Sequence, residues 1–168
     1  ETMREAGYRT ALVGKWHVCR DANVVFDEVY DRIDISSNYF PDSTGVYDGP
    51  RLPILAVKES TYENEYMTDK LTSHAIQFMN KQSNATPFFL YLGYNAVHNP
   101  WQAEKKYYDR LSNIKDEYMR VQASLIACAD ENIGILLNYL ENRKLIDNTI
   151  IVFVSDNGPA KGGPELKT

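Results

Sequence analysis

Three short apolar runs along this chain have the length and composition of β-strands. They lie at 10–13, 88–92 and 149–154, and each ends in a polar segment rich in turn-forming residues. The run at 88–92 is apolar without interruption, which is typical of a strand covered on both faces of a sheet. These runs predict three strands of one sheet.

Two longer stretches, 63–81 and 116–142, place their apolar residues on one helical stripe and predict amphipathic helices. Residues 1–7 have the pattern of the end of another helix, with Gly7 as its C-terminal stop. Residues 18–62 predict an irregular connection, because Asp, Asn, Ser, Pro and Gly recur there. A connection of this length is usually functional or carries small strands of its own. Helices alternating with apolar strands indicate an α/β fold with a mainly parallel sheet flanked by helices.

Polar side chains follow each of the three predicted strands. Lys15 and His17 follow the first strand, His98 follows the second, and Asp156 and Asn157 follow the third. Open parallel sheets bind ligands beyond the carboxyl ends of their strands, so we expect these side chains to share one pocket. Lys15 and His17 are two positions apart on an extended backbone and point to the same side, where both could meet one anion.

Each of these residues also has a simpler interpretation. Asp156-Asn157-Gly158 offers two hard oxygen ligands for Ca²⁺ or Mg²⁺, but the same tripeptide is good turn chemistry. Two oxygens do not complete a calcium shell, so further ligands are needed. A lone loop histidine such as His98 is more often a surface residue than a catalyst, and His74, on a predicted helix, is assigned a structural role.

Composition narrows the class of protein. The 168 residues suffice for one domain, and the net charge of −5 without a Lys/Arg block argues against a nucleic-acid partner. No run is apolar for long enough to predict a transmembrane segment. Two cysteines support neither a disulfide framework nor a zinc site, and Cys128 is predicted to pack in a helix. Because the chain opens at the end of a helix and closes in a loop, we expect residues 1–168 to be one partial domain.

The segment from Gly7 to His17, ending in Gly-Lys-Trp-His, resembles a signature of the sulfatase family. The segments 88–100 and 148–158 resemble those in which this family carries an active-site histidine and two metal ligands. The likeness follows the family's order over nearly the whole chain. It is strongest to the arylsulfatase B-like branch, which includes enzymes acting on sulfated N-acetylgalactosamine.

The resemblance implies an alkaline-phosphatase-like fold and hydrolysis of sulfate monoesters, with a sulfated small molecule or carbohydrate as substrate. In the family the nucleophile is formylglycine, made from a cysteine or serine, and it is expected upstream of this chain together with the remaining metal ligands. The isolated chain is therefore expected to be inactive. By family habit the location is secreted, lysosomal or periplasmic.

Site residues carry over by position. Asp156 and Asn157 would bind the metal, usually calcium and in some cases magnesium. Lys15 would hold sulfate oxygens, and His17 would assist the formylglycine hydroxyl. His98 would bind sulfate or protonate the leaving group, and Lys167 would be a second sulfate-binding lysine.

Two departures from the family pattern keep alternatives open. The formylglycine motif is absent from the chain, and Val18-Cys19 stands where the family usually has Leu-Gly. A phosphoester or phosphonate hydrolase of the same superfamily is one alternative. A non-catalytic relative that binds an anion is the other.

Overall fold

The computed structural model of this chain describes residues 2–18, 20–34, 37–42, 45, 47, 55–61, 65–83 and 85–158. Cys19 lies outside these residues, and so does Lys167 with its predicted role in binding sulfate. Five strands are present in the described part of the chain: β1 (Arg9–Lys15), β2 (Glu28–Ile33), β3 (Leu55–Lys58), β4 (Phe88–Gly93) and β5 (Trp101–Glu104).

The helices are α1 (Thr2–Glu5), α2 (Ala22–Val25), α3 (Met67–Asn80), α4 (Lys105–Arg110) and α5 (Glu117–Asn142), followed by a 3-10 helix at Ile146–Asn148. Helix α5 begins where Asp116 caps it, because the Asp116 carboxylate accepts a hydrogen bond from the Met119 backbone N–H at 2.9 Å. No helix in the described ranges combines the length and the apolar content needed to cross a membrane.

The strands form two parallel sheets, one in the order β2-β1-β4 and one that pairs β3 with β5. Strand β1 is central, and its residues Ala11, Leu12 and Val13 are fully buried. Helix α3 packs Leu71 and Phe78, which are also fully buried, into this core. The predicted α/β class with a parallel sheet flanked by helices is confirmed.

Four predicted elements are present with small changes. Strands β1 and β4 extend the runs at 10–13 and 88–92, and α5 matches the helix predicted at 116–142. Helix α3 begins at Met67 rather than near residue 63, because Tyr66 is extended and fully buried, and its hydroxyl donates to the Gln102 carbonyl at 2.6 Å.

The region 18–62 carries small strands of its own, one of the two expectations for so long a connection. It contains α2, β2 and β3. In a separate part of the chain, the loop after His98 leads into β5 and α4, which were not predicted. Strands β2 and β3 are short and carry polar residues at several positions. Strand β2 pairs with β1, and β3 pairs with β5. These pairings stabilise the two strands but leave no apolar pattern within the strands from which they could be predicted.

The prediction of a strand at 149–154 is wrong, because this segment belongs to neither of the two described sheets. The structure assigns no strand there, and Ile150, Val152 and Phe153 are 93%, 76% and 81% exposed. Strand β1 already has β2 and β4 on its two edges, so the run has no edge of β1 left to pair with. Strand β4 is half-buried, rather than covered on both faces as predicted.

Candidate active site

Two glycines bring the carboxyl ends of β1 and β4 together. Gly14 lies beside Gly93 in the parallel register, and its φ of +89° favours glycine. A Cβ on Gly14 would lie 2.3 Å from the Gly93 carbonyl oxygen, and a Cβ on Gly93 would lie 2.5 Å from the Lys15 carbonyl oxygen. The close approach of the two strands therefore requires glycine at both positions. One of them, Gly14, lies directly before Lys15.

An irregularity in β2 supports the other side of β1. The register shifts from Val13 beside Tyr30 to Lys15 beside Ile33, so β2 has one extra residue at this point. Asp31, at a φ of 42°, lies in this bulge.

The Asp31 carboxylate is held by helix α3, because Lys70 Nζ lies 2.8 Å from its Oδ1 and His74 Nδ1 contacts its Oδ2. His74 thus ties α3 to the bulge in β2. This contact agrees with the structural role predicted for His74.

The end of β1 meets the Asp-Asn-Gly loop. Lys15 Nζ lies 3.6 Å from Asp156 Oδ2, and the Lys15 side chain is mostly buried while that of Asp156 is largely exposed. Ser155 Oγ donates to the Asn157 carbonyl at 2.6 Å, and Asn157 Nδ2 donates to the Gly158 carbonyl at 2.7 Å. The tripeptide is therefore a local turn that also places a carboxylate beside the buried lysine.

Trp16 anchors the chain between Lys15 and His17. Its ring packs edge-on against Phe26 and Tyr91, at centroid distances of 5.2 and 5.6 Å, and its indole N–H donates to the Arg20 carbonyl. The His17 side chain is exposed. Within the described ranges, no hydrogen bond or ion pair joins His17 to Lys15 or to the other predicted site residues.

His98 lies in the loop after β4, and its side chain is exposed. Its Nδ1 lies 2.6 Å from the Asn99 carbonyl oxygen. A carbonyl can only accept, so Nδ1 carries the hydrogen and Nε2 is left as the nitrogen that can take up or release a proton.

The backbone of His98 is held by a tyrosine that sequence reasoning missed. The Tyr39 hydroxyl lies 2.8 Å from the Asn95 carbonyl oxygen and 3.0 Å from that of His98. Tyr39 belongs to the region predicted to be irregular. The only signal there was the pair Tyr39-Phe40 among polar residues, and both side chains are fully buried.

The oxygen ligands predicted for a metal agree with calcium in type. The Asp156 carboxylate and the Asn157 side-chain carbonyl are hard donors, and the Asn157 amide nitrogen already donates to Gly158. Lys15 supplies the positive charge beside Asp156. A calcium shell of six to eight oxygens needs more ligands than these two.

A second polar cluster was also missed. Asp69, Glu104 and Cys128 place one ligand atom each within 4.8 Å of one another, a grouping that could hold a metal ion. Lys106 Nζ already supplies a positive charge, at 3.1 Å from Glu104 Oε2 and 3.7 Å from Asp69 Oδ2. Burial raises the pKa of the Glu104 carboxyl, against the hydrogen bond from Ser60 and the charge of Lys106.

Burial also raises the pKa of the Cys128 thiol, and the nearby Asp69 and Glu104 add to the effect. Cys128 is thus a neutral, buried side chain of α5, in agreement with its predicted packing role. A cleft beside the cluster is lined by Ser60, Thr61, Glu65, Tyr66 and Asp69. Among the residues that the structure describes, none of the site residues predicted from sequence lines this cleft.

Known proteins similar to this chain are sulfatases. The family model described as Sulfatase matches residues 1–167. Arylsulfatase J of Mus musculus is 30% identical over 187 residues, which cover 97% of this chain and 29% of that protein. N-acetylgalactosamine-6-sulfatase of Homo sapiens is 28% identical over 180 residues, which cover 95% of this chain and 32% of that protein. The chain thus spans about a third of the length of these relatives.

A solved structure has a matching fold. The crystal structure of Ps i-CgsB superposes with a TM-score of 0.71 at 28% identity, covering 87% of this chain and 36% of that chain. The same protein in complex with k-i-k-neocarrahexaose gives a TM-score of 0.70. Because the family model covers nearly all residues, this chain belongs to the sulfatase family and has its alkaline-phosphatase-like α/β fold.

Proposed function

We propose that the protein hydrolyses sulfate monoesters and that the carboxyl edge of the β2-β1-β4 sheet contributes to its active site. The observation that carries this proposal is the contact between Lys15 and Asp156, at 3.6 Å, in a chain of the sulfatase family. It joins a buried cation at the end of β1 to a loop of oxygen donors. A site of this kind suits a substrate with a compact anionic group.

Lys15 binds sulfate oxygens in this proposal. Its side chain is mostly buried, so its charge acts in a water-poor environment where it is weakly screened. Asp156 and Asn157 hold the metal, calcium or magnesium, and Lys167 is a second sulfate-binding lysine. When bound, the metal would supply further positive charge facing the transferred group.

The two histidines move protons. His98 presents Nε2 to the oxygen of the leaving group, because its Nδ1 is engaged by Asn99. His17, two residues beyond the end of β1, serves the hydroxyl of the nucleophile. We propose that this nucleophile is a formylglycine contributed by residues outside this chain, so the 168-residue chain by itself, one partial domain, would be inactive.

The proposed substrate class is a sulfated carbohydrate. One relative is an N-acetylgalactosamine-6-sulfatase, and the similar protein Ps i-CgsB was solved with k-i-k-neocarrahexaose. An aryl sulfate is the convenient model substrate. The proposed location, secreted, lysosomal or periplasmic, follows from the same family relationship.

Turnover of 4-nitrophenyl sulfate by the intact enzyme tests the proposal. His98→Ala and Lys15→Ala should each lower kcat/KM by about 100-fold or more, because each removes a group that acts in the transition state. Lys105→Ala is the matched control, since this exposed lysine pairs with Asp109 on α4 and should leave turnover unchanged.

Two results would contradict the proposal. Faster hydrolysis of 4-nitrophenyl phosphate than of the sulfate by the intact enzyme would favour the phosphoester hydrolase. Unchanged turnover in both His98→Ala and Lys15→Ala would remove this edge of the sheet from the active site.

A further inference from the structure

We propose that Tyr39 is a positioning residue for this reaction, because its buried hydroxyl holds the backbone of His98 and so sets where the imidazole stands. The inference rests on the proposed function, in which His98 acts on the leaving oxygen. Tyr39 itself touches neither the imidazole nor the predicted sulfate-binding groups in any described contact. Its effect would therefore be transmitted through the loop.

Tyr39 is a rigid support. It is fully buried, its backbone N–H donates to Gln102 Oε1 at 2.8 Å, and its carbonyl accepts from the Met67 N–H at 2.8 Å. Its ring stacks on that of Tyr66 at a centroid distance of 5.4 Å. The backbone N–H of Tyr39 is thus bonded to a side chain of β5 and its carbonyl to the start of α3. The ring is therefore held on a fixed backbone, and its hydroxyl has a defined position.

The hydroxyl serves two carbonyls of the loop. It lies 2.8 Å from the Asn95 oxygen and 3.0 Å from the His98 oxygen, and because carbonyls only accept, the two oxygens share its one hydrogen. Burial raises the pKa of Tyr39 well above its usual value, so the hydroxyl stays protonated as a donor. The same Asn95 oxygen also accepts the His98 N–H at 2.8 Å. Both backbone polar groups of His98 are thereby engaged.

This network determines the direction of the imidazole. With the His98 carbonyl held by the Tyr39 hydroxyl, Nδ1 reaches the Asn99 carbonyl and Nε2 is left for chemistry. Replacing Tyr39 by Phe keeps the ring and its stacking but removes the donor. The carbonyl of the buried residue Asn95 would keep one donor, and that of His98 would lose the one described, so the loop is expected to shift.

The kinetic test compares Tyr39→Phe with the intact wild-type enzyme on two aryl sulfates. We expect kcat to fall by about 10- to 100-fold, with little change in KM, because a displaced proton donor misses the transition state more than the bound substrate. The loss should be larger for phenyl sulfate than for 4-nitrophenyl sulfate, since the poorer leaving group depends more on protonation. In a His98→Ala background, Tyr39→Phe should cause no further loss.

Tyr66→Phe is the matched control. It also removes a buried tyrosine hydroxyl that donates to a backbone carbonyl, that of Gln102, but not one in the histidine loop. It should lower the melting temperature without changing the ratio of rates for the two substrates. Additive losses in Tyr39→Phe and His98→Ala, or equal losses on both substrates, would overturn the proposal.

A measurement independent of activity separates this proposal from the proposed function. The ¹⁵N imidazole signals of His98, identified by their loss in His98→Gln, should change in Tyr39→Phe and stay unchanged in Tyr66→Phe. Unchanged His98 signals in Tyr39→Phe would overturn the positioning role. Full turnover by His98→Ala would instead contradict the catalytic role of His98. The imidazole signals would then still show whether Tyr39 positions the His98 ring.

Discussion

Gly14 shows how a single residue governs the geometry of this site. Its positive φ would strain any other residue, and its neighbour Gly93 leaves no room for a Cβ on either strand. Sequence inspection identifies Gly14 as the residue after an apolar run and as part of the Gly-Lys-Trp-His motif, but does not explain why it is glycine. The reason for glycine is the contact with a strand about 80 residues away, and that contact sets the position of Lys15.

Gly14→Ala tests this explanation. The added Cβ would lie 2.3 Å from a backbone oxygen and 3.1 Å from Leu71 Cδ1, so the strands must move apart. We expect the free energy of unfolding of the intact protein to fall by about 2 kcal/mol or more, measured by urea denaturation. Gly134→Ala, on α5 with no atom within 4 Å of the new Cβ, should instead stabilise the protein by about 0.5–1 kcal/mol. Equal effects of the two substitutions would contradict the explanation.

At the scale of elements, the pattern of apolar residues predicted those helices and strands that bury an apolar face against the core. Helices α3 and α5 were predictable because their apolar stripes are long enough to face a core, and β1 was predictable as a short buried run. The run at 149–154 has the same strand composition as β1, yet it is exposed. Composition records a preference for extended backbone, whereas a strand also needs a partner edge.

This exposed run predicts self-association of the 168-residue chain. Five consecutive apolar residues, 150–154, are each at least half exposed, and such segments pair with other chains. Sedimentation velocity should show oligomers whose proportion rises with concentration, and Val152→Lys should lower that proportion. Ile126→Lys is the control, because Ile126 is an exposed apolar residue on α5, outside the run 150–154, and its substitution should leave association unchanged. Association that persists undiminished in Val152→Lys would show that another surface is responsible.

At the scale of the whole molecule, two carboxylates connect separate elements around β1. Asp27 accepts from the Thr10 N–H and hydroxyl, both at 2.9 Å, and pairs with Arg4 of α1. Glu28 of β2 pairs with Lys81, directly after α3, at 2.8 Å. Hydrogen bonds from Lys81 and Tyr30 lower the pKa of Glu28.

Asp27→Asn tests how this connection responds to acid. Burial opposes the change, but the hydrogen bonds from Thr10 and the charges of Arg9 and Arg4 outweigh it and lower the pKa of Asp27. A lowered folded-state pKa gives stability that is fully present above the unfolded-state value, about 4, and is lost as the pH falls through the folded-state value. The wild-type protein should therefore exceed Asp27→Asn in melting temperature at pH 7, and the difference should shrink as the pH falls below about 4.

Asp130→Asn, at an exposed position of α5, provides the control and should show a small difference at every pH. A constant difference between wild type and Asp27→Asn across this range would contradict the linkage.

Glu104 affects the pH dependence of stability in the opposite direction. Its raised pKa means that its ionised form costs stability, a cost that disappears as the pH falls through that raised value.

The sequence alone determined the α/β class, the long helices, the central strand and the resemblance to sulfatases. These depend on local periodicity and on motifs that are contiguous in the chain. Only the tertiary structure decided which groups meet, because a contact between distant residues leaves no local pattern. Lys15 meets Asp156, the Tyr39 hydroxyl meets the His98 carbonyl, and Asp69, Glu104 and Cys128 cluster together, and each of these contacts joins residues that are distant in the chain. The same reason explains the exposed run at 149–154: apolar residues predict a strand, but only a neighbouring strand edge in three dimensions makes one.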